Sequence, residues 1–255
     1  FMSSFDYARG WPKPAQPEAV HQQAAVALLI LADICAGSRL WGFARFVLGT
    51  LPLRGTEGLR FAKQLGSGEG GGFGLKPSLS IQGLFLAFDH AEQAQSFWQS
   101  HRLVRAYQDH ALECLGLIAS PLTARGSWSG EKPFADSASD QSSREPVAAL
   151  TRASIRLRHA AAFWSRAPAA QTALAAHPDC WLAVGLGEAP LLRQATFSIW
   201  ASAAAMDAYA RSGAHLAAIR AASAGNYFSE DMFVRFKPLA SFGSWKGQSL
   251  RFDGA

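Results

Sequence analysis

A chain of 255 residues, 49% hydrophobic and 17% charged, has enough apolar material to bury a large core, as one domain or as two of about 110–130 residues. The formal charge of +5 comes from 18 Arg against 6 Lys, scattered without a basic run, which excludes a nucleic-acid-binding tail and suits pairing with carboxylates or an acidic cofactor. Three widely spaced cysteines (Cys35, Cys114, Cys180) exclude a CxxC zinc site and a disulfide framework, no apolar run reaches the ~20 residues of a membrane span, and a cytoplasmic location is expected.

Residues 1–25 hold Pro12, Pro14 and Pro17 among polar neighbours and read as an extended arm. Val26 to Ile34 is a strand. Gly37 to Thr50 is an amphipathic helix capped at Ser38, with Leu40, Phe43, Val47 and Leu51 on one stripe. Leu59 to Leu65 is a second strand. Gly66, Gly68 and Gly71 then satisfy GxGxxG, but a strand over Leu79 to Phe88 follows where a dinucleotide fingerprint needs a helix, so they read as a loop between strands. Ala91 to Ala111 is a second helix and Leu115 to Leu122 a fourth strand, giving the order β-α-β-β-α-β over residues 26–130.

Residues 131–147 are rich in Ser, Asp, Glu and Pro and read as a linker. The order then repeats over 148–250: strand Ala148 to Leu157, helix His159 to Ala176, strands Cys180 to Gly187 and Gln194 to Trp200, helix Ser202 to Ala224, strand Met232 to Leu239. Pro121-Leu-Thr-Ala-Arg-Gly-Ser-Trp128-Ser-Gly130 returns as Pro238-Leu-Ala-Ser-Phe-Gly-Ser-Trp245-Lys-Gly247, a constant offset of 117 (238 − 121 and 245 − 128). Leu65-Gly66 is echoed by Leu186-Gly187. The expected fold is α+β, two tandem ferredoxin-like units pairing their sheets into a closed barrel that removes sheet edges.

Features shared by both halves serve the fold, and those found in one half are candidates for function. The shared Gly-Ser-Trp-x-Gly turns make Trp128 and Trp245 structural. Matching Trp98 to Tyr209 sets Val104 opposite His215, while His159 falls opposite Ser38 or Arg39. Arg211 and Ile219 lie four residues to either side of His215 on one helix face, so the imidazole reads either as a metal ligand beside an acidic cofactor or as an ordinary helix histidine. No HExxH, GxSxG or HxE…CxxC pattern occurs, and Asp179, Glu188 and Asp207 are too dispersed to nominate as a carboxylate pair. Few polar groups and much apolar surface suit a greasy pocket in which a cofactor carries the chemistry.

The second half resembles the spheroidene monooxygenase family through Leu150-Thr-Arg-Ala-Ser-Ile-Arg-Leu-Arg-His159, Phe163-Trp164, Gly185-Leu-Gly-Glu188-Ala-Pro190-Leu-Leu192 and Gln194-Ala-Thr-Phe-Ser-Ile-Trp200. Ala205-Met-Asp-Ala-Tyr-Ala-Arg211, Gly213-Ala-His215 and Ala218-Ile-Arg220 continue it, with Arg39-Leu-Trp41 and Leu65-Gly-Ser-Gly-Glu-Gly70 in the first half. The resemblance covers about residues 26–250. It implies a dimeric α/β-barrel fold and a heme b enzyme that uses dioxygen and a ferredoxin-type reductant to hydroxylate a terminal carbon of an acyclic carotenoid, a second hydroxylation there giving a ketone. His215 is then the expected iron ligand, with His159 as runner-up. Arg211, Arg220, Arg193 and Arg158 are expected toward the propionates, and Phe197, Trp200 and Ile219 as further cofactor contacts; the catalytic residues stay unassigned. A lipid-resident substrate implies peripheral contact with the inner membrane. The other readings are a heme-dependent lyase such as an aldoxime dehydratase, another oxidase on a small apolar substrate, or a non-catalytic heme-binding barrel.

Overall fold

The computed structural model describes residues 25–72, 76–135, 137–138, 144–167, 169, 173–174, 176–189 and 192–252. The arm expected over 1–25 therefore lies outside the described residues except for Ala25, and the linker expected over 131–147 lies partly outside them. In chain order the elements are β1 (Val26–Ile34), α1 (Arg39–Leu48), β2 (Leu59–Gly68), β3 (Pro77–Phe88), α2 (Ala91–Ser100), α3 (Arg102–His110), β4 (Ala111–Gly126) and a short β5 (Ser137–Ala138). They continue as β6 (Val147–Ile155), α4 (Ala160–Trp164), β7 (Cys180–Ala189), β8 (Arg193–Trp200), α5 (Ala203–Ala210), α6 (Gly213–Ala224) and β9 (Phe228–Gly243).

The strands run β1-β3-β2-β7-β8-β6-β9-β4, and an additional antiparallel pairing of β1 with β4 closes eight of them into a barrel, with β5 appended to β4. The sheet needs apolar residues on both faces, because side chains alternate between the barrel interior and the helices outside. Leu29, Leu31, Phe85, Leu117, Leu150, Val184, Phe197 and Phe236 belong to the inner core. Leu28, Ile30, Leu84, Leu86 and Phe88 face outward, where Trp98, Val104 and Tyr107 of α2 and α3 cover them.

Both turns of the 117-residue repeat have one construction. Gly126 and Gly243 hold φ of 84° and 74°, open to glycine and strained for other residues. A glutamate from the opposite half accepts the turn's amides. Glu113 accepts from Lys246 N and from Gly247 N at 2.6 and 2.7 Å. Glu230 accepts from Ser129 N and Gly130 N at 3.0 and 2.7 Å. Trp128 and Trp245 are buried, in the structural role that their repetition implies.

Burial raises the Glu230 carboxyl, but the Gly130 amide, the Ser127 hydroxyl, the Arg152 guanidinium and the Ser129 amide together lower it to about 2. A carboxylate depressed in the folded state contributes stability above its unfolded value near 4.5, and loses it as pH falls toward about 2. Unfolding monitored across that interval is therefore expected to show a steep acid limb, flattened in Glu230→Gln. An unchanged limb in the variant would remove Glu230 as the source.

Three helix expectations are corrected. The helix expected over Ala91 to Ala111 divides at His101, and that over Ser202 to Ala224 at Arg211–Ser212. His101 is extended and its Nδ1 accepts from Leu103 N at 3.2 Å, so it caps a new helix. The helix expected over His159 to Ala176 is a 3₁₀ turn over Leu157–His159 followed by the five-residue α4, the remainder lying partly outside the described residues. Ser202 does cap α5, accepting from Ala205 N at 3.1 Å. Ser38 caps nothing, because its hydroxyl meets His110 Nδ1 at 2.8 Å.

Candidate functional site

The barrel registers set the outer faces of the two halves side by side. Val26-Ala-Leu-Leu-Ile-Leu-Ala-Asp-Ile34 and Val147-Ala-Ala-Leu-Thr-Arg-Ala-Ser-Ile155 occupy equivalent strands at an offset of 121 (147 − 26), as do Leu65 and Leu186. In the first half the outward rows are Ile118–Leu28–Leu86–Ala62 and Gly116–Ile30–Leu84–Gln64. In the second they are Arg235–Ala149–Ser198–Ala183 and Phe233–Thr151–Thr196–Gly185, followed by Asp231–Ala153–Gln194–Gly187. Four aliphatic side chains at the centre of one face thus become Ala149, Thr151, Thr196 and Ser198 on the other. The second half presents a floor of small residues.

The segment containing α6 joins the two ends of this floor. Its N-terminal end adjoins α5, where Tyr209 packs on Trp200 (ring centroids 5.1 Å) beside the Val147 end of β6. At its far end Tyr227 N donates to Ala222 O, and Arg156 N, just past Ile155, donates to Tyr227 O at 2.8 Å. The chain from Tyr209 to Tyr227 therefore runs from one end of β6 to the other, yet Thr151 in the middle of that strand stays exposed. The counterpart of α6, α3, buries Leu103, Val104 and Tyr107. In α6 the buried side chain among the described ones is that of Ala222.

His215 stands third in α6, as Val104 stands third in α3, and the residues before the two helices, His101 and Ser212, differ by the same 111 that relates Val104 to His215. Its half-buried ring lies 4.8 Å from that of Tyr209, which also meets His177 at 5.8 Å. Burial lowers the His215 pKa, so at neutral pH the imidazole is uncharged and offers a lone pair. The neighbouring thiol is a poorer donor, since burial pushes Cys180 up to about 11.

The other expected site residues are distributed differently. Trp200 shares the outer face and the aromatic cluster with His215. Phe197, odd-numbered on the same strand, points into the barrel, 6.5 Å from Phe236. The break at Ser212 takes Arg211 out of the helix bearing His215; its guanidinium is exposed and pairs with Asp207 at 3.1 Å, which also holds Arg235. Ile219, Arg220 and Arg193 are exposed. Arg158 Nε donates to His159 Nε2 at 3.0 Å, and the His159 ring stacks on Tyr227 at 4.8 Å. The structure gathers His215, Trp200 and Tyr209, and leaves the four arginines at the periphery.

Among the described residues no three His, Cys, Asp or Glu side chains converge as ligands for a bare metal ion. One neutral imidazole beside a floor of small residues fits a different group. Iron in a tetrapyrrole brings four ring nitrogens and needs one axial donor from the protein. The small residues that replace Leu28, Ile30, Leu84 and Leu86 give a planar ring a face to lie against, so the residues present fit heme.

Two features of the second half have no counterpart among the expected residues. The first is the floor itself. The second is Arg152, which replaces Leu31 and is 2% exposed inside the barrel. It pairs with Glu230, reaches Glu188 at 3.4 Å and lies over the Trp128 ring, whose Nε1 donates to Glu188 at 2.8 Å. Arg152 and the β6 half of the floor lie in the match of Val26–Ile34 to Val147–Ile155, which differs at Leu28/Ala149, Ile30/Thr151, Leu31/Arg152 and Asp33/Ser154.

No family model matches the chain. It is 52% identical over 223 residues to spheroidene monooxygenase of Rubrivivax gelatinosus, covering 88% of this chain and 86% of that protein. It is 39% identical over 210 residues to spheroidene monooxygenase of Rhodobacter capsulatus, covering 82% and 87%. The chain belongs to the spheroidene monooxygenase family. Members of this family are oxidoreductases by name, and the expected dimeric α/β-barrel architecture is the one observed. An aldoxime dehydratase crystallised with butyraldoxime has the same fold, with a TM-score of 0.57 at 8% identity over 86% of this chain and 81% of that one. A second aldoxime dehydratase structure gives 0.54 at 10% identity over 91% and 88%. At such identities the likeness is one of fold.

Proposed function

We propose that this protein is a heme-dependent carotenoid monooxygenase, with the cofactor seated between the outer face of β6 and β8 and the helix α6. The observation that carries this reading is the small-residue floor around Thr151 beneath a helix bearing one neutral imidazole. The substrate class comes from the family, whose named members act on spheroidene. Hydroxylation places one atom of dioxygen in a C–H bond and reduces the other to water with two electrons and two protons; a ferredoxin-type protein is the proposed electron donor. Heme, when bound, supplies the activation of dioxygen.

The residues of the chain divide the remaining work. His215 would hold the iron through an imidazole nitrogen kept unprotonated by its burial. Ala149, Thr151, Thr196 and Ser198 let a flat ring approach the sheet, and Trp200 with Tyr209 walls one side. Arg193 and Arg220 are exposed and available to carboxylates at the rim, while Arg158, Arg211 and Arg235 would have to exchange His159 and Asp207 for them. The hydroxyl-bearing residues of this face are small, and Ser198 accepts from Trp200 Nε1 at 2.9 Å, so a long apolar chain can lie along it.

Restoring the bulk of the first half tests the seat. Thr151→Ile with Thr196→Leu copies Ile30 and Leu84 onto the floor. The variant is expected to fold with an unchanged circular dichroism spectrum while its Soret absorbance per chain falls about fivefold or more, since each added side chain occupies volume that packed groups need. Full heme content in that variant would place the cofactor elsewhere.

A further inference from the structure

The apolar stripe of α1 faces away from the protein. Leu40, Phe43 and Val47 are 82%, 67% and 66% exposed, and Leu48 and Leu51 continue the surface. The inner side of the helix carries instead Gly42, whose carbonyl accepts from Gln82 Nε2 at 2.7 Å, and the buried Arg45, whose Nη1 donates to Gly49 O at 2.6 Å. The helix is thus amphipathic in the reverse of the sense that burying a core requires.

The charge beside this stripe has one sign. Between Asp33 and Glu57 there are three arginines (Arg39, Arg45, Arg54) and no carboxylate, and Arg39 and Arg54 are exposed at the two ends of the stripe. An apolar helix face framed by cations is complementary to a bilayer bearing anionic headgroups: the side chains enter the acyl boundary and the guanidiniums meet phosphates. Among the described residues no helix is long and apolar enough to cross a membrane, so the contact is with one leaflet.

The position of the face relates it to the floor. Phe46, on the other side of α1, packs against Gly66 of β2, and Gly66 pairs with Gly187 of β7, which ends the third outward row of the second half. The helix thus sits at the seam between the halves, one strand from the proposed cofactor seat. We infer that the outer face of α1 docks the protein on an anionic lipid surface, holding this seam against the bilayer in which an apolar substrate resides. The identity of that substrate rests on the proposed function; the surface itself rests on α1.

Co-flotation of the full chain with vesicles tests this, using phosphatidylcholine alone and phosphatidylcholine mixed equally with phosphatidylglycerol, both without carotenoid. The chain is expected to float with the anionic vesicles at low salt. The triple variant Leu40→Asp, Phe43→Asp, Val47→Asp is expected to lose at least about tenfold in partitioning. Arg39→Gln with Arg54→Gln changes no apolar residue and is expected to weaken binding to the anionic vesicles alone. Flotation of the triple variant equal to that of the unaltered chain would overturn the proposal. So would an unaltered chain that ignores vesicles and runs as a dimer which the triple variant dissociates, since a second copy would then cover α1. Turnover of detergent-dispersed carotenoid separates the two readings: vesicle binding without turnover removes the substrate and keeps the surface, while turnover without vesicle binding does the reverse.

Discussion

His215→Ala is expected to lose stoichiometric heme while keeping the fold. The iron would lose the imidazole proposed to hold it, and the thiol of Cys180, which pairs with Trp200 across the sheet, is held protonated by its burial. The fold should survive because Val104 occupies the equivalent place in α3 and is fully buried, whereas His215 is only half-buried and packs on Tyr209. Added imidazole is expected to restore part of the Soret band by occupying the site that the side chain leaves. His159→Ala is expected to retain heme, since that ring is engaged with Arg158 and Tyr227. The measurements are pyridine-hemochrome yield, Soret position and far-ultraviolet circular dichroism on both variants. Normal heme in His215→Ala together with loss in His159→Ala would reverse the assignment.

Arg152→Ala is expected to be the most destabilising single change in the barrel. It would leave Glu188 and Glu230 facing each other in a partly buried site, with Lys63 at 3.6 Å from Glu188 as the remaining described cation. Removing one partner of a buried ion cluster costs about 3–5 kcal/mol. In a chain of this size, each kcal/mol corresponds to about 2–4 °C in midpoint temperature. The more informative variant is Arg152→Leu with Glu188→Ser, which copies Leu31 and Ser67 from the first half. It removes a charge of each sign and is expected to recover most of the lost stability. A midpoint for Arg152→Ala within a degree or so of the unaltered chain would show that the cluster contributes nothing net.

The architecture was legible because it is written twice. The Gly-Ser-Trp-x-Gly turns combine a glycine at positive φ with a buried tryptophan, two demands that few residues meet, so they persist in both halves and reveal the repeat. The breaks at His101 and Ser212 were not legible from helical periodicity, since a one-residue extended kink barely disturbs the apolar pattern. Nor does periodicity say which way a stripe faces: Leu40, Phe43 and Val47 mark a stripe, and only the packing of Gly42 and Arg45 beneath it shows it to be external. Phe197 illustrates the opposite case. Strand alternation alone separates it from Trp200, because an odd spacing puts two residues on opposite faces of a sheet. His215 stands out in the sequence through its mismatch with Val104, but the floor of small residues required strand registers, which a repeat at a different offset (121 rather than 117) expresses less visibly.

The two joints of the barrel are unequal. β4 and β9 pair through eleven residue couples from Leu115↔Gly243 to Gly126↔Met232, while β2 and β7 meet through two, Gly66↔Gly187 and Ser67↔Leu186. Both strands have glycine at this meeting, and a Cβ on Gly187 would come within 2.9 Å of Arg193 O. A ring closed by one long weld and one short clasp breathes at the clasp, because local opening costs least where the fewest hydrogen bonds are lost. Amide exchange at Ser67 and Leu186 should therefore outpace exchange along β4 and β9 by orders of magnitude. The long weld would then act as a spine about which two covalently tethered halves flex, one with the bulky outward packing of Leu28, Ile30, Leu84 and Leu86 and the other with the small residues of the proposed seat.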